Sequence, residues 1–253
     1  MVQLPEYAGR NNAIIEPSRI RPKGIRVPRQ MVFCFFREIV EELEDAPGVQ
    51  LIHHIHRELG KHPILVIQRH RRSIGVLHPG IGGPLAASSL EQVIALGARD
   101  VVACGGAGVL DSSLSQGTVV LPTAAVRDEG TSYHYQRRSR TNRPHPEVVR
   151  ALIQSCKAHD IPFVRGKTWT TDAVFRETPK KIQSRRAEGC LTVEMEAAAF
   201  FAVAHFRSIR FGQLLYAGDD VGGSEWDHRH WHKCLTARQK IFELAVDAVL
   251  RLA

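Results

Sequence analysis

Residues 74–108 read IGVLHPGIGGPLAASSLEQVIALGARDVVACGGAG, and the change of apolar period inside this stretch decides the fold class. Ile74 to His78 has the apolar character of a buried strand and runs into Pro79-Gly80-Ile81-Gly82-Gly83-Pro84. A helix is predicted from about Leu85 to Leu96, ended by Gly97. Val101 to Ala103 is a second buried strand, running into Cys104-Gly105-Gly106-Ala107-Gly108 as a second glycine-rich turn. Strand, helix and strand in succession predict an α/β protein. Its ligand should collect at the carboxyl ends of the strands, where glycine lets backbone amides approach an anion. The competing reading is tight packing of the glycines against the sheet. Neither turn fits GxGxxG or GxxxxGK[ST], which leaves a dinucleotide or nucleoside triphosphate site unsupported and favours a smaller anion.

The alternation continues outward. On the N-terminal side, Ile64–Gln68 and Ile74–Leu77 flank the polar run Arg69–Ser73 as a hairpin. Val32, Phe36, Ile39, Val40 and Leu43 recur at helical spacing, Pro47-Gly48 ends that helix, and Ala13 to Ile15 is a short strand candidate. On the C-terminal side, strands are predicted at Val119–Pro122, Ile161–Val164, Leu191–Val193 and Phe211–Tyr216. Helices are predicted at Pro146–His159, Glu194–Phe206 and Leu235–Leu252, and Val126–Tyr135 reads as a polar, aromatic loop. No repeat or linker divides the 253 residues, so one domain over 1–253 is expected, with a partly extended N-terminal segment at 1–30.

Lys plus Arg outnumber Asp plus Glu by 34 to 26, a formal charge of +8 that calls for an anionic partner or substrate. The basic residues are scattered and show no recognition-helix or aromatic-basic pattern, so nucleic acid is not the expected partner. No run approaches the roughly 20 apolar residues of a membrane span and the first thirty residues lack a signal peptide, so a cytoplasmic chain with no membrane partner is expected. Five cysteines without CxxC spacing indicate neither a disulfide framework nor zinc. His228, His230 and His232 alternate in a way that resembles metal ligation, and His53, His54 and His56 form a second histidine cluster beside Arg57. A loop over a ligand or interface, or simply polar surface, accounts for them better, and no metal is expected.

Two pairs of carboxylates stand in apolar company. Glu194-Met195-Glu196 lies between Leu191-Thr192-Val193 and Ala197-Ala198-Ala199-Phe200-Phe201. Residues two apart on a helix point to opposite sides, so one carboxylate is expected to face a pocket, accepting bonds from substrate hydroxyls. The bland alternative is a first-turn glutamate stabilising the helix dipole. Asp219-Asp220 ends an apolar strand and delivers at least one acid to the sheet's carboxyl edge, either as a general acid or as a turn-forming cap.

In order and spacing these segments resemble the nucleoside phosphorylase family that includes uridine phosphorylase, hexameric purine nucleoside phosphorylase and methylthioadenosine nucleosidase. The carriers are Pro79 to Pro84, Gly105 to Gly108 with Gly117-Thr118-Val119-Val120, Val126 to Tyr135, Thr171-Asp172, Val193 to Ala198 and Gly218-Asp219. The resemblance implies a single-domain α/β fold, a curved mixed β-sheet flanked by helices. It implies attack of phosphate, as co-substrate and without other cofactor, on a nucleoside's anomeric carbon.

By that resemblance Glu196 accepts from the ribose hydroxyls, with Met195 beneath the sugar and Glu194 nearby. Asp219 is the catalytic acid at a purine leaving base. Thr171, Val174, Phe175 and Asp220 fall to the base, and Phe175-Arg176-Glu177-Thr178 stands where uridine-specific members carry Gln-x-Arg. Arg19 in Glu16-Pro17-Ser18-Arg19, Arg57, Gly105 and Gly106 fall to phosphate, whereas Ala103 replaces a family arginine and Gly106 a hydroxyl residue. Arg127 is a candidate to compensate. A homo-oligomer, a dimer or trimer of dimers, is implied by residues the family borrows across subunits. Hydrolytic cleavage, a uridine substrate and non-catalytic nucleoside binding stay open as alternatives.

Overall fold

The computed structural model describes residues 7–10 and 13–252. In chain order the first half contains α1 (Pro17–Ile20), β1 (Gln30–Cys34), α2 (Arg37–Glu44), β2 (Gln50–Arg57), β3 (Gly60–Arg69), β4 (Arg72–Leu77), α3 (Gly83–Leu96), β5 (Asp100–Val109) and β6 (Val119–Asp128). The second half contains α4 (Ser132–Tyr135), β7 (Thr141–Asn142), α5 (Pro146–Ala158), β8 (Phe163–Thr171), α6 (Pro179–Ala187), β9 (Cys190–Glu194), α7 (Ala197–Arg207), β10 (Arg210–Asp220) and α8 (Leu235–Leu250).

The sheet is mixed and curls back on itself. β5 pairs with β10 in parallel and with β9 antiparallel; β9 continues to β8, β8 to β6, and β6 returns to β10 through Leu215↔Val120 and Tyr216↔Val119. These five strands close a ring, and β1, β4, β3 and β2 extend from β5 as an open arm. Side chains alternate along each strand. Val101 and Ala103 of β5 pack with α3 and α7 in one apolar cluster, whereas Val102 and Cys104 join α5 and α8 in another. The result is the single-domain α/β fold with a curved mixed sheet and flanking helices that the sequence implied.

Several local expectations change. Ala13–Ile15 forms no strand, and of the 1–30 segment the residues 1–6, 11 and 12 lie outside the described residues. Val32 belongs to the fully buried β1, with α2 beginning only at Arg37, because a core strand and an amphipathic helix abut and mimic one apolar helix period. β2 is an edge strand rich in histidine, without the apolar alternation that marks a strand. α6 (PKKIQSRRA) has one buried residue, Arg185, and so leaves no apolar stripe to read, although Thr178 caps it by accepting from the Lys181 N–H (3.4 Å). The largest change is in β5. Cys104–Gly108 continues the strand through Val109 in place of the expected turn. Glycine inside a strand marks a place where something else comes close.

Candidate active site

Where β9 gives way to α7, the chain turns from strand to helix across Glu194-Met195-Glu196. Glu194 uses both oxygens to build that turn. Oε2 accepts the N–H groups of Glu196 (2.8 Å) and Ala197 (2.6 Å), and Oε1 accepts the Thr170 hydroxyl (2.6 Å). It thereby satisfies donors that a helix N-terminus leaves unpaired. Glu196 Oε1 accepts the Gly82 N–H at 2.6 Å from the first glycine turn, where Gly80 and Gly82 take φ of 86° and 89°. Those left-handed conformations favour glycine. Both carboxylates line one cavity of about 990 Å³. The expectation that only one would face a pocket fails because Glu194 ends a strand and Glu196 precedes the helix, so helical spacing never applies. Burial, then the Glu194 charge, pushes the Glu196 carboxyl above the usual range, and burial does the same to Glu194.

On another wall, β10 pairs Ala217 with Ala107 and Asp220 with Val109, so Gly218 and Asp219 together face the single residue Gly108. Such a bulge re-aims a side chain. Asp219 lines the cavity and accepts the Trp226 indole N–H at 2.7 Å. Asp220 does not line the cavity. Its oxygens accept from Ser112 (3.1 Å) and the Gly222 N–H (2.7 Å) and pair with Arg229 (2.7 Å), anchoring the rim loop that carries Trp226. Asp220 is therefore a turn-forming acid whose partners lie outside the cavity in which a base was expected.

The anion-binding expectations fare differently. Cβ atoms built on Gly105 and Gly106 would lie 3.1 Å from the Phe35 ring and 3.0 Å from the Tyr216 ring, so both glycines make room for aromatics. Gly106 lines the cavity; Gly105 does not. Arg19 is exposed and donates to the Ile14 carbonyl (3.1 Å). Its helix lies by the C-terminal ends of α3 and α7, where Arg21 reaches Ala95 and Glu16 pairs with Arg207. The Gly82–Glu196 contact is at the other end of the 14-residue α3, about 20 Å along its axis. Arg57 is half-buried and donates to Ser89 (2.7 Å) and to the Leu85 carbonyl (3.4 Å), outside the cavity lining. Arg127 is buried on the Tyr133 ring and bonded to Ser132, Gln136, Arg137 and Ser139, so it organises its own loop and leaves nothing for an anion.

At the rim, Val174 is half exposed and the Phe175 ring is almost wholly exposed, both on the cavity lining, whereas Thr171 is buried with its hydroxyl on the Ala173 N–H (3.2 Å). Met195 also lines the cavity. Sequence reasoning missed Tyr216, Trp226, Trp231, Glu177 and Arg238, which line it too. Arg238 lies between the Phe36 and Trp231 rings, donates to the Tyr216 hydroxyl (3.3 Å) and pairs with Glu38 (2.6 Å). Only the buried apolar run of β10 offered a signal for Tyr216. Glu177, Trp226 and Trp231 come from segments with no apolar period, and Arg238 is a charged residue on the otherwise periodic α8. The rings of His228, His230 and His232 cluster at 5.1–6.5 Å, and no group of three or more His, Cys, Asp or Glu among the described residues could hold a metal ion. No described helix is long and apolar enough to cross a membrane.

Residues 35–251 match the model of the phosphorylase superfamily, and the chain belongs to that family. It is 29% identical over 154 residues to guanosine phosphorylase of Halorubrum lacusprofundi, a match covering 58% of this chain and 64% of that protein. It is 31% identical over 153 residues to uridine phosphorylase of Treponema pallidum, covering 56% and 59%. The chain thus spans about three fifths of the length of these curated relatives. In fold it is similar to purine nucleoside phosphorylase from Toxoplasma gondii in complex with immucillin-H (TM-score 0.77, 20% identity, covering 100% of this chain and 99% of that one). It is also similar to AMP nucleosidase from Bacteroides thetaiotaomicron (TM-score 0.73, 21% identity, 89% of each chain).

Proposed function

We propose that this member of the phosphorylase superfamily cleaves the N-glycosidic bond of a nucleoside with phosphate as co-substrate, releasing free base and ribose 1-phosphate. The observation that carries the reading is the Glu194–Glu196 junction opening onto the cavity, with Phe175 and Trp226 at its rim. Glu194 fixes the turn and Glu196 accepts from the ribose hydroxyls. As the bond to the base stretches, positive charge develops on the sugar; that charge favours the ionised form of the buried Glu196 carboxyl beside it, which stabilises it more strongly than water does. Asp219 lies at the base edge. This acid, and Phe175-Arg176-Glu177 in place of Gln-x-Arg, support a purine nucleoside over uridine. The edge strand β2, with Leu51 exposed on it and Leu59 exposed just beyond its end, supports a homo-oligomer, a dimer or trimer of dimers. We place its activity in the cytoplasm.

The test is base release from inosine, adenosine, guanosine and uridine, each with and without phosphate. Phosphate-dependent release from a purine nucleoside is expected; release from uridine alone would remove the purine assignment. A second reading, hydrolysis, is favoured by the Phe35 and Tyr216 rings beside Gly105 and Gly106 and by the placement of Arg19 and Arg57. Equal rates in phosphate-free buffer would select it.

A further inference from the structure

A second carboxyl group shares the rim with Asp219, and neither motif nor resemblance assigned it a role. A 3-10 turn at Val174–Arg176 ends at Glu177, whose N–H donates to the Val174 carbonyl (3.3 Å), and the next residue, Thr178, caps α6. Two successive turns therefore fix the Glu177 backbone next to Phe175. Its half-buried side chain lines the cavity and, among the described residues, has no ion pair and no hydrogen bond. The Asp219 carboxylate is differently placed, because Oδ2 already accepts from Trp226.

We infer that Glu177 is the acid that meets the departing base, donating its O–H to a ring nitrogen while Asp219 acts as its charge partner. This rests on the reading of the cavity as a nucleoside site. When the C–N glycosidic bond breaks, its electron pair passes into the base. The Glu177 proton moves to a base nitrogen, N7 in a purine, and phosphate forms the new C–O bond to the anomeric carbon. Glu177 is left as a carboxylate and regains a proton from water once the base departs. Burial and the neighbouring Asp219 charge push its carboxyl up to about 7, against Lys181, so the proton is present near neutrality. Charged groups around it are Asp219 on β10, Lys181 and Arg186 on α6, and Glu225 on the rim loop. Lys181 is paired with Asp128 (3.2 Å) and Arg186 with the Gly222 carbonyl (3.2 Å).

The test compares inosine with 7-methylguanosine, whose base is already cationic and leaves without a proton. Glu177→Gln should lower kcat/KM for inosine by about 100-fold while 7-methylguanosine stays within about fivefold. The wild-type rate should fall above about pH 7. That limb should vanish in Glu177→Gln and move to lower pH in Asp219→Asn, where the repelling charge is gone. A variant within threefold of wild type on inosine, or equal loss on both substrates, overturns the assignment and leaves the proposed function standing. If the wild type cleaves no nucleoside, the proposed function falls instead, and Glu177 is judged by hypoxanthine binding through tryptophan fluorescence. Binding that weakens above pH 7 in the wild type and is pH-independent in Glu177→Gln supports its role. No binding, or the same pH dependence in both proteins, overturns it.

Discussion

The Glu194–Glu196 junction and the Gly105–Gly106 strand both line up with motifs in the sequence, yet the fold uses them in opposite ways. At the junction, backbone N–H groups from Glu196, Ala197 and Gly82 converge on two buried carboxylates, and the cavity opens beside them. At the strand, the space that glycine frees is taken by the Phe35 and Tyr216 rings. A carboxylate held by several donors is a built site. A glycine covered by a ring is a packing solution. The difference teaches that a motif states what a backbone permits, and neighbouring side chains state what it does.

The sharpest way to break this contrast is Glu196→Gln, which keeps shape and removes the group that can ionise. It should lower kcat by about 100-fold or more, the scale seen when one preorganised electrostatic contact is lost, measured as base release at saturating nucleoside. An effect below threefold would demote the junction to structure. The next largest effect is Gly106→Ala. A Cβ 3.0 Å from the Tyr216 ring should destabilise by about 1–3 kcal/mol in urea unfolding while leaving the KM for phosphate unchanged. Unaltered stability with a raised phosphate KM would return Gly106 to anion binding.

The pH dependence of stability sharpens the same comparison. The Glu196 carboxyl is raised above its ordinary value of 4.5 by burial and by Glu194, so above that pH the folded chain binds more protons than the unfolded one. Its contribution is therefore complete below about pH 4.5 and is lost as pH rises toward the folded value. Glu196→Gln should melt progressively higher than wild type from pH 5 to pH 8, gaining stability where it loses activity; parallel melting curves would contradict this. The smallest effect belongs to Arg19→Ala. Exposed and remote from the cavity, it should change stability by less than about 0.5 kcal/mol and phosphate KM by less than twofold.

Much of the fold was legible because apolar period survives in the core strands β3, β4, β6, β9 and β10 and in α3, α5, α7 and α8. It failed where period was absent, in polar β2 and α6, or doubled, where β1 runs toward α2. In the site, Glu194, Met195, Glu196 and Asp219 were legible as carboxylates or as part of an otherwise apolar run, since such a departure from burial rules is visible in one dimension. Glu177, Tyr216, Trp226 and Arg238 were not, because each reaches the cavity from a separate segment.

The sequence by itself determined the α/β class, the carboxylate pair at the head of α7 and the acid at the end of β10, all consequences of local period and composition. Only the tertiary structure decided that Glu194 builds the turn, that Asp220 anchors a loop, and that aromatic rings fill the space beside Gly105 and Gly106. Those outcomes depend on hydrogen-bond partners and close contacts contributed by residues distant in sequence, which local pattern does not encode.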